Sequence, residues 1–251
     1  MGASRAWRTL LASTAGIAAD PLSSLRHMDL TEALYTTRAM RRVRPDAISD
    51  DVIARILDAS IRAPSGSNAQ NWRMIVVDDP DVRSRLGPLY REAYQHLQEE
   101  LYAGRREAAE ARGDEALLRV MRSSDWLAEN FEQVPVWLLF FTRNDPSGAS
   151  IYPAVWSAML AARGEGVGTC LTTILGIFRN AEVFDLLDVP ADKGWQLAAA
   201  VSCGYPLGRW DVATRAPAEK VSFRNGWGTP LDFEVGGPRW APKAKSQARA
   251  G

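Results

Sequence analysis

Between residues 134 and 142 the chain reads Val-Pro-Val-Trp-Leu-Leu-Phe-Phe-Thr, an apolar run without a single charge. A run that short and that continuous predicts a strand buried on both faces. "MIVVDDP" predicts a second strand, mostly β-branched and ended by Asp-Asp-Pro, and "WQLAAAVSCGYP" a third, stopped by Gly-Tyr-Pro. "VGTCLTTIL" reads as a strand or an extended loop. Other segments have helical spacing. In "DDVIARILDASIRA" the apolar positions Ile53, Ile56, Leu57 and Ile61 share one face; Ser49 is placed to cap it and Pro64 marks its end. Asp50 and Asp51 suit that helix N-terminus. "MDLTEALYTT" predicts a short helix with Leu30, Ala33 and Leu34 on one face. "NDPSGASIY" reads as a turn and helix start, "AVWSAMLAARGEG" as an apolar helix ending in glycine, and "NAEVFDLLDVP" as a capped helix.

Residues 81–133 are the most charged part of the chain and read as helical, with breaks near Gly104 and Gly113. Tyr90, Tyr94, Leu97 and Leu101 form one candidate apolar stripe there. A solvated helical pair and a lid over a site both fit that pattern. The tail from residue 213 onward is extended and rich in proline and glycine. With no internal repeat and no interior linker, residues 28–251 make one α+β domain. Residues 1–27, rich in Arg, Ser and Ala, read as a disordered tail or as an extension upstream of a start at Met28, with a targeting segment the weaker option.

Composition narrows the function classes. Of the 251 residues, 46% are hydrophobic and 24% charged, which are ordinary globular values. Thirty basic residues balance thirty acidic ones, so the excess positive charge of a nucleic-acid binder is missing. Two cysteines, Cys170 and Cys203, and two histidines, His27 and His96, lack metal-ligand spacing, and no metal is expected. No apolar run approaches the roughly 20 residues of a membrane span, and a reduced, cytoplasmic setting is the natural reading. There is no G-x-S-x-G, no P-loop and no G-x-G-x-x-G.

Two stretches carry candidate chemistry. "TTRAMRRVR" places four arginines, at 38, 41, 42 and 44, within seven residues. "RAPSGSNAQNW" crowds two amide side chains and a tryptophan onto a turn between a helix and a strand. Arginine offers charge-assisted hydrogen bonds to a phosphate, and Asn and Gln supply both donors and an acceptor to a polar ring edge. Together they suggest a phosphorylated heteroaromatic cofactor. In most proteins such an arginine cluster is simply a solvated face, and Trp72 reads as core rather than catalytic.

"TRAMRRVRPDAI", then "RILDASIRAPSGSNAQNWRMIVV", "GEGVGTCLTTI", "CGYP" and "TRAPAEKV" together resemble the FMN-dependent nitroreductase family over about residues 29–228. The resemblance implies a mainly antiparallel central sheet flanked by helices, in a homodimer with FMN at the subunit interface. It implies that Arg38 and Arg215 hold the FMN phosphate and that Arg42 sits near the N1/O2 edge of the ring. Pro64, Ser65, Gly66 and Ser67 would line the cofactor, Asn68 and Gln70 would face its pyrimidine edge or ribityl chain, and Leu171, Thr172 and Thr173 would pass near N5. The chain departs from the pattern at Ala39 and Met40, where Arg and Ser are usual in the phosphate turn. It departs again at Asn71, usually proline, and at Ala213, often basic. Weaker FMN retention is expected.

The function implied is a ping-pong flavin reductase. It would use NADH or NADPH as donor and a nitroaromatic, a quinone or another small conjugated electrophile as acceptor, with no protein nucleophile. Tyr90, Tyr94, Tyr102 and Trp126, from residues 81–133, are the candidate acceptor pocket. The alternatives are a specialised branch that dehalogenates or fragments flavin, a non-catalytic flavin-storage protein, and a structural dimer without cofactor.

Overall fold

The computed structural model describes residues 28–241, so the readings for residues 1–27 lie outside the described residues. Four strands, β1 (Trp72–Val77), β2 (Val136–Thr142), β3 (Gly168–Thr172) and β4 (Gln196–Gly204), form one sheet in the order β1-β2-β4-β3. Every neighbouring pair is antiparallel, and β2 shifts register against β4 between Phe140 and Phe141. All seven residues of β2 are buried. The pleat sends Val136, Leu138 and Phe140 to one face, and Trp137, Leu139 and Phe141 to the other.

Each face has its own helical cover. Helices α2 (Asp50–Ser60) and α6 (Ile151–Gly164) bring Ile53, Ile56, Ala154, Val155 and Ala158 against the Leu138 side. Helices α3 (Pro80–Glu100), α5 (Glu115–Glu129), α7 (Ile174–Phe178) and α8 (Asn180–Leu186) cover the Trp137 side through Leu86, Tyr90, Leu127, Leu175 and Phe184. Two short helices remain: α1 (Leu30–Thr36), and α4 (Arg105–Ala111) between α3 and α5. Gly104 and Gly113, at φ +68° and +64°, make the breaks between α3, α4 and α5 in a left-handed conformation that glycine adopts without penalty.

The pattern misses in several local ways. The Ser49 side chain makes no capping bond. Asp29 does cap α1, accepting from the Thr31 N–H at 2.8 Å, and Asp145 serves the start of α6, accepting from Ile151 N–H at 3.0 Å. Asn180 does not cap α8; its Oδ1 accepts from the Leu197 N–H at 3.2 Å and ties the helix to β4. "VGTCLTTIL" is a strand only to Thr172, and α7 begins at Ile174. The switch lets Ile174 and Leu175 turn into the core, and Gly176 lets the helix touch β4: a Cβ there would sit 2.0 Å from the Leu197 carbonyl oxygen. Ile61 and Leu101 lie past the ends of their apolar stripes and are 44% and 63% exposed. Leu30 and Leu34 are also outward, with Ala33 and Thr36 turned inward in their place.

Arg163, on α6, is buried; it donates from Nε to Thr36 Oγ1 at 2.8 Å and pairs with Glu32 at 3.0 Å. Its guanidinium also lies 4.1 Å from the centre of the Trp210 ring, so one cation ties α1, α6 and the segment after β4 together. Burial lowers its pKa, with Glu32 pulling the other way.

Leu139 is fully buried at the middle of β2. Truncation to alanine removes methyl groups from a site held by strands on both sides, so Leu139→Ala is expected to cost about 2–5 kcal/mol. Urea unfolding should show a lower midpoint with an unchanged m value.

Candidate active site

The turn that leads from α2 into β1 is strained. Ser67, Asn68 and Gln70 adopt φ values of 51°, 53° and 49°, so three of four consecutive residues are left-handed without being glycine. Such conformations cost on the order of 1 kcal/mol each and persist only where the surroundings impose them. Here the constraints are visible. The Gly66 N–H donates to Ser150 Oγ at 3.2 Å, and the Gln70 N–H to Ser65 Oγ at 3.2 Å. Gln70 Nε2 donates to Asn68 Oδ1 at 3.1 Å. Trp72, buried in the core, anchors the exit, which accounts for the aromatic at that position. Pro64, Ser65, Gly66 and Gln70 line a pocket of about 510 Å³ with the loop that opens α6.

The arginine-rich segment docks along the other edge of the sheet. The Met40 N–H donates to the Thr169 carbonyl at 2.8 Å, Arg44 N–H to Tyr205 at 2.8 Å, and Leu207 N–H to Arg42 at 3.0 Å. Met40 and Val43 are buried and Ala39 is exposed. Met40 packs beside Gly168, where an added Cβ would sit 2.9 Å from its own Cβ. Arg42 is exposed, whereas Arg41 is half-buried and lines a cavity. Arg38 donates to the Arg209 carbonyl at 2.9 Å. Nearby the Ala213 N–H reaches Tyr35 O at 3.1 Å, and Arg215, two residues on, is exposed.

That cavity holds about 340 Å³. Cys170, Leu171, Thr172 and Thr173, at the end of β3, form its floor together with Arg41. Tyr90, Tyr94 and Tyr102, from α3 and the link to α4, form its wall; Trp126 does not line it. Burial raises the Tyr90 and Tyr94 pKa values, and for Tyr94 the hydrogen bond to Asp125, at 2.7 Å, adds to the rise. Both phenols therefore stay neutral donors at physiological pH. Burial also pushes the Cys170 thiol up, against the pull of the Arg41 guanidinium, and pushes Cys203 up to about 12.

The structure thus joins the 171–173 segment to three of the four candidate pocket aromatics, and separates both from the amide turn. Arg41, to which the family resemblance gives no role, lines the cavity. The signal for it lay in the neighbours: with Met40 and Val43 turned into the core, Arg41 is free to face the cavity.

A model of the nitroreductase family matches residues 34–205, and the chain belongs to that family. It is 32% identical over 195 residues to 5,6-dimethylbenzimidazole synthase of Rhodobacter capsulatus, with 72% of this chain and 85% of that one covered. It is 28% identical over 222 residues to NADH dehydrogenase of Thermus thermophilus, covering 79% and 97% of the two chains. The crystal structure of oxidised iodotyrosine deiodinase bound to FMN and 3-iodo-L-tyrosine superposes with a TM-score of 0.57. At 22% identity, over 74% of this chain and 98% of that one, this likeness establishes a shared fold.

The strain in the turn has a measurable consequence. Ser67→Gly removes a left-handed Cβ and no side-chain hydrogen bond, so it is expected to stabilise the protein by about 0.5–1 kcal/mol. A rise in the thermal midpoint of a few degrees checks this.

Proposed function

We propose that the protein is an FMN-dependent oxidoreductase that moves a hydride from NADH or NADPH to a small conjugated electrophile such as a quinone or a nitroaromatic. The observation that carries the reading is the cavity in which Arg41, the 171–173 segment and the tyrosine wall meet. The residues suit the cofactor. An arginine on the floor of a partly enclosed cavity favours negative charge on a bound ring, and low local dielectric strengthens the effect. Thr172 and Thr173 offer hydroxyls at the floor, and the backbone-constrained amides of Asn68 and Gln70 offer donors and acceptors to a polar ring edge. Arg38 and Arg215 supply cations to a phosphate at the end of α1. When bound, FMN supplies the hydride acceptor and donor chemistry at N5. The protein binds and orients the reactants and excludes water; no side chain is required as nucleophile. The exposed Ala39 supplies no guanidinium in the phosphate turn, so FMN is expected to be lost more readily on dilution.

The same reading requires two chains. The amide turn precedes β1 and the 171–173 segment ends β3, and these are opposite edges of the sheet. Three interstrand steps, about 14 Å, separate them within one chain. A second copy that brings its turn to the β3 edge unites the halves. Outward apolar groups on α1 and α6, Leu30, Leu34, Tyr152 and Trp156, supply surface for that contact. An obligate dimer of this kind buries over about 2,000 Å².

The 32% identity to the Rhodobacter enzyme favours a second reading, in which the chain forms 5,6-dimethylbenzimidazole. Incubation with reduced FMN in air, followed by mass spectrometry of the small-molecule fraction, separates the two.

With FMN added and excess removed, the protein is expected to retain a flavin spectrum and to oxidise NADH or NADPH in the presence of a quinone. Absence of turnover by flavin-loaded protein would sink the reductase reading. Arg41→Gln is expected to lower hydride transfer from the nicotinamide by about tenfold to a hundredfold. In stopped-flow flavin reduction, an Arg42→Gln effect as large as that of Arg41→Gln would reject this role for Arg41.

A further inference from the structure

The wall of the cavity carries a cation for which helix stability gives no reason. Arg105 is the first residue of α4, where the helix dipole disfavours positive charge. Its guanidinium lies 4.6 Å from the centre of the Tyr102 ring, and it forms no ion pair with a described residue. The next residue behaves differently: Arg106 pairs with Asp125 at 2.7 Å. Asp125 also accepts from the Tyr94 hydroxyl at 2.7 Å, so this carboxylate is already engaged twice. The aromatic face holds the Arg105 fork in position while its side-chain N–H donors have no partner among the described residues.

The charge on the lining is one-sided. Arg105 and Arg41 are its charged members, and among the described residues no carboxylate lines the cavity. Arg41 lies on the β3 floor beside Cys170, while Arg105 belongs to the wall built by the α3–α5 segment. Between them the surface is mostly aromatic and aliphatic, with the hydroxyls of the tyrosines, Ser124, Thr172 and Thr173, the Gln98 amide and the sulfur atoms of Met121 and Cys170 as its uncharged polar groups. A neutral quinone makes use of the tyrosines but leaves Arg105 without a role. A planar monoanion attached to a ring matches both.

We propose that the cavity selects an aromatic or conjugated carboxylate, with the ring against the tyrosine wall and the carboxylate on the Arg105 guanidinium. Naming this molecule as the hydride acceptor rests on the reductase reading above; the selection of a carboxylate does not. Two parallel N–H···O bonds from one guanidinium suit a carboxylate, which a lysine at the same position could not reproduce.

The test is calorimetric binding of benzoate and benzamide to the FMN-supplemented full chain at low salt. Because Arg105 is exposed, the expected preference is modest, about threefold to fivefold in Kd for benzoate. Arg105→Gln is expected to abolish that preference and Arg105→Lys to retain only part of it. Equal affinities in the wild type, or a preference unchanged in Arg105→Gln, overturns the proposal. In parallel, 4-nitrobenzoate and 4-nitrobenzamide are offered as acceptors with NADH or NADPH. If neither is reduced while the benzoate preference holds, the reductase reading falls and the carboxylate pocket stands. If both are reduced and Arg105→Gln leaves the ratio of their kcat/KM values unchanged, the reductase reading stands and the carboxylate proposal falls.

Discussion

The double-sided burial of β2 is the constraint on which everything else in this molecule rests. A strand apolar on both faces cannot sit at a surface, so the chain must place another strand on each side and helices above and below. β1 and β4 take the lateral positions, and α2 with α6, and α3 with α5, α7 and α8, take the faces. What remains for chemistry is the periphery: the turn entering β1 at one edge, and the end of β3 with the segment docked on it at the other. The location of the candidate site follows from the packing of a strand that takes no part in it.

Two kinds of residue at that periphery depart from what stability alone would select. Ser67, Asn68 and Gln70 hold left-handed backbone conformations that glycine would occupy more cheaply. Among the described residues Arg41 and Arg105 have no carboxylate partner, whereas Arg106, Arg91 and Arg163 are paired. Local strain and uncompensated charge are the marks of positions kept for a ligand. By contrast Trp72, Met40 and Val43, which lie in the same two segments, are ordinary core.

The helical segment that carries the tyrosine wall joins these themes. α3 contributes Leu86, Tyr90 and Ala93 to the core, and its far end, with α4, carries Tyr102 and Arg105 to the cavity. One end is held by the sheet and the other lines the cavity, with left-handed glycines at the two breaks. Changes in the α4 region can therefore alter what enters the cavity without disturbing the sheet.

Much of this was legible in the chain, because it depends on local spacing. The uninterrupted apolar run at 134–142, the helical period of Ile53 and Ile56, the breaks at Gly104 and Gly113, and the ordered family motifs all act within a few residues of themselves. Other features depend on partners far away in sequence, and only the tertiary structure decides them. Asn180 binds β4 rather than capping its helix because Leu197 N–H is within reach. Leu30 and Leu34 face outward because Ala33 and Thr36, with Arg163 from α6 on Thr36, take the inward side. Arg41 rather than Arg42 lines the cavity because docking on Thr169 and Tyr205 fixes the rotation of that segment, and a one-residue difference in an extended chain turns a side chain to the other face. The amide turn and the 171–173 segment look like neighbours in a list of motifs, yet the strand order sets them at opposite edges of the sheet, since topology is a property of the closed fold and not of any window of sequence.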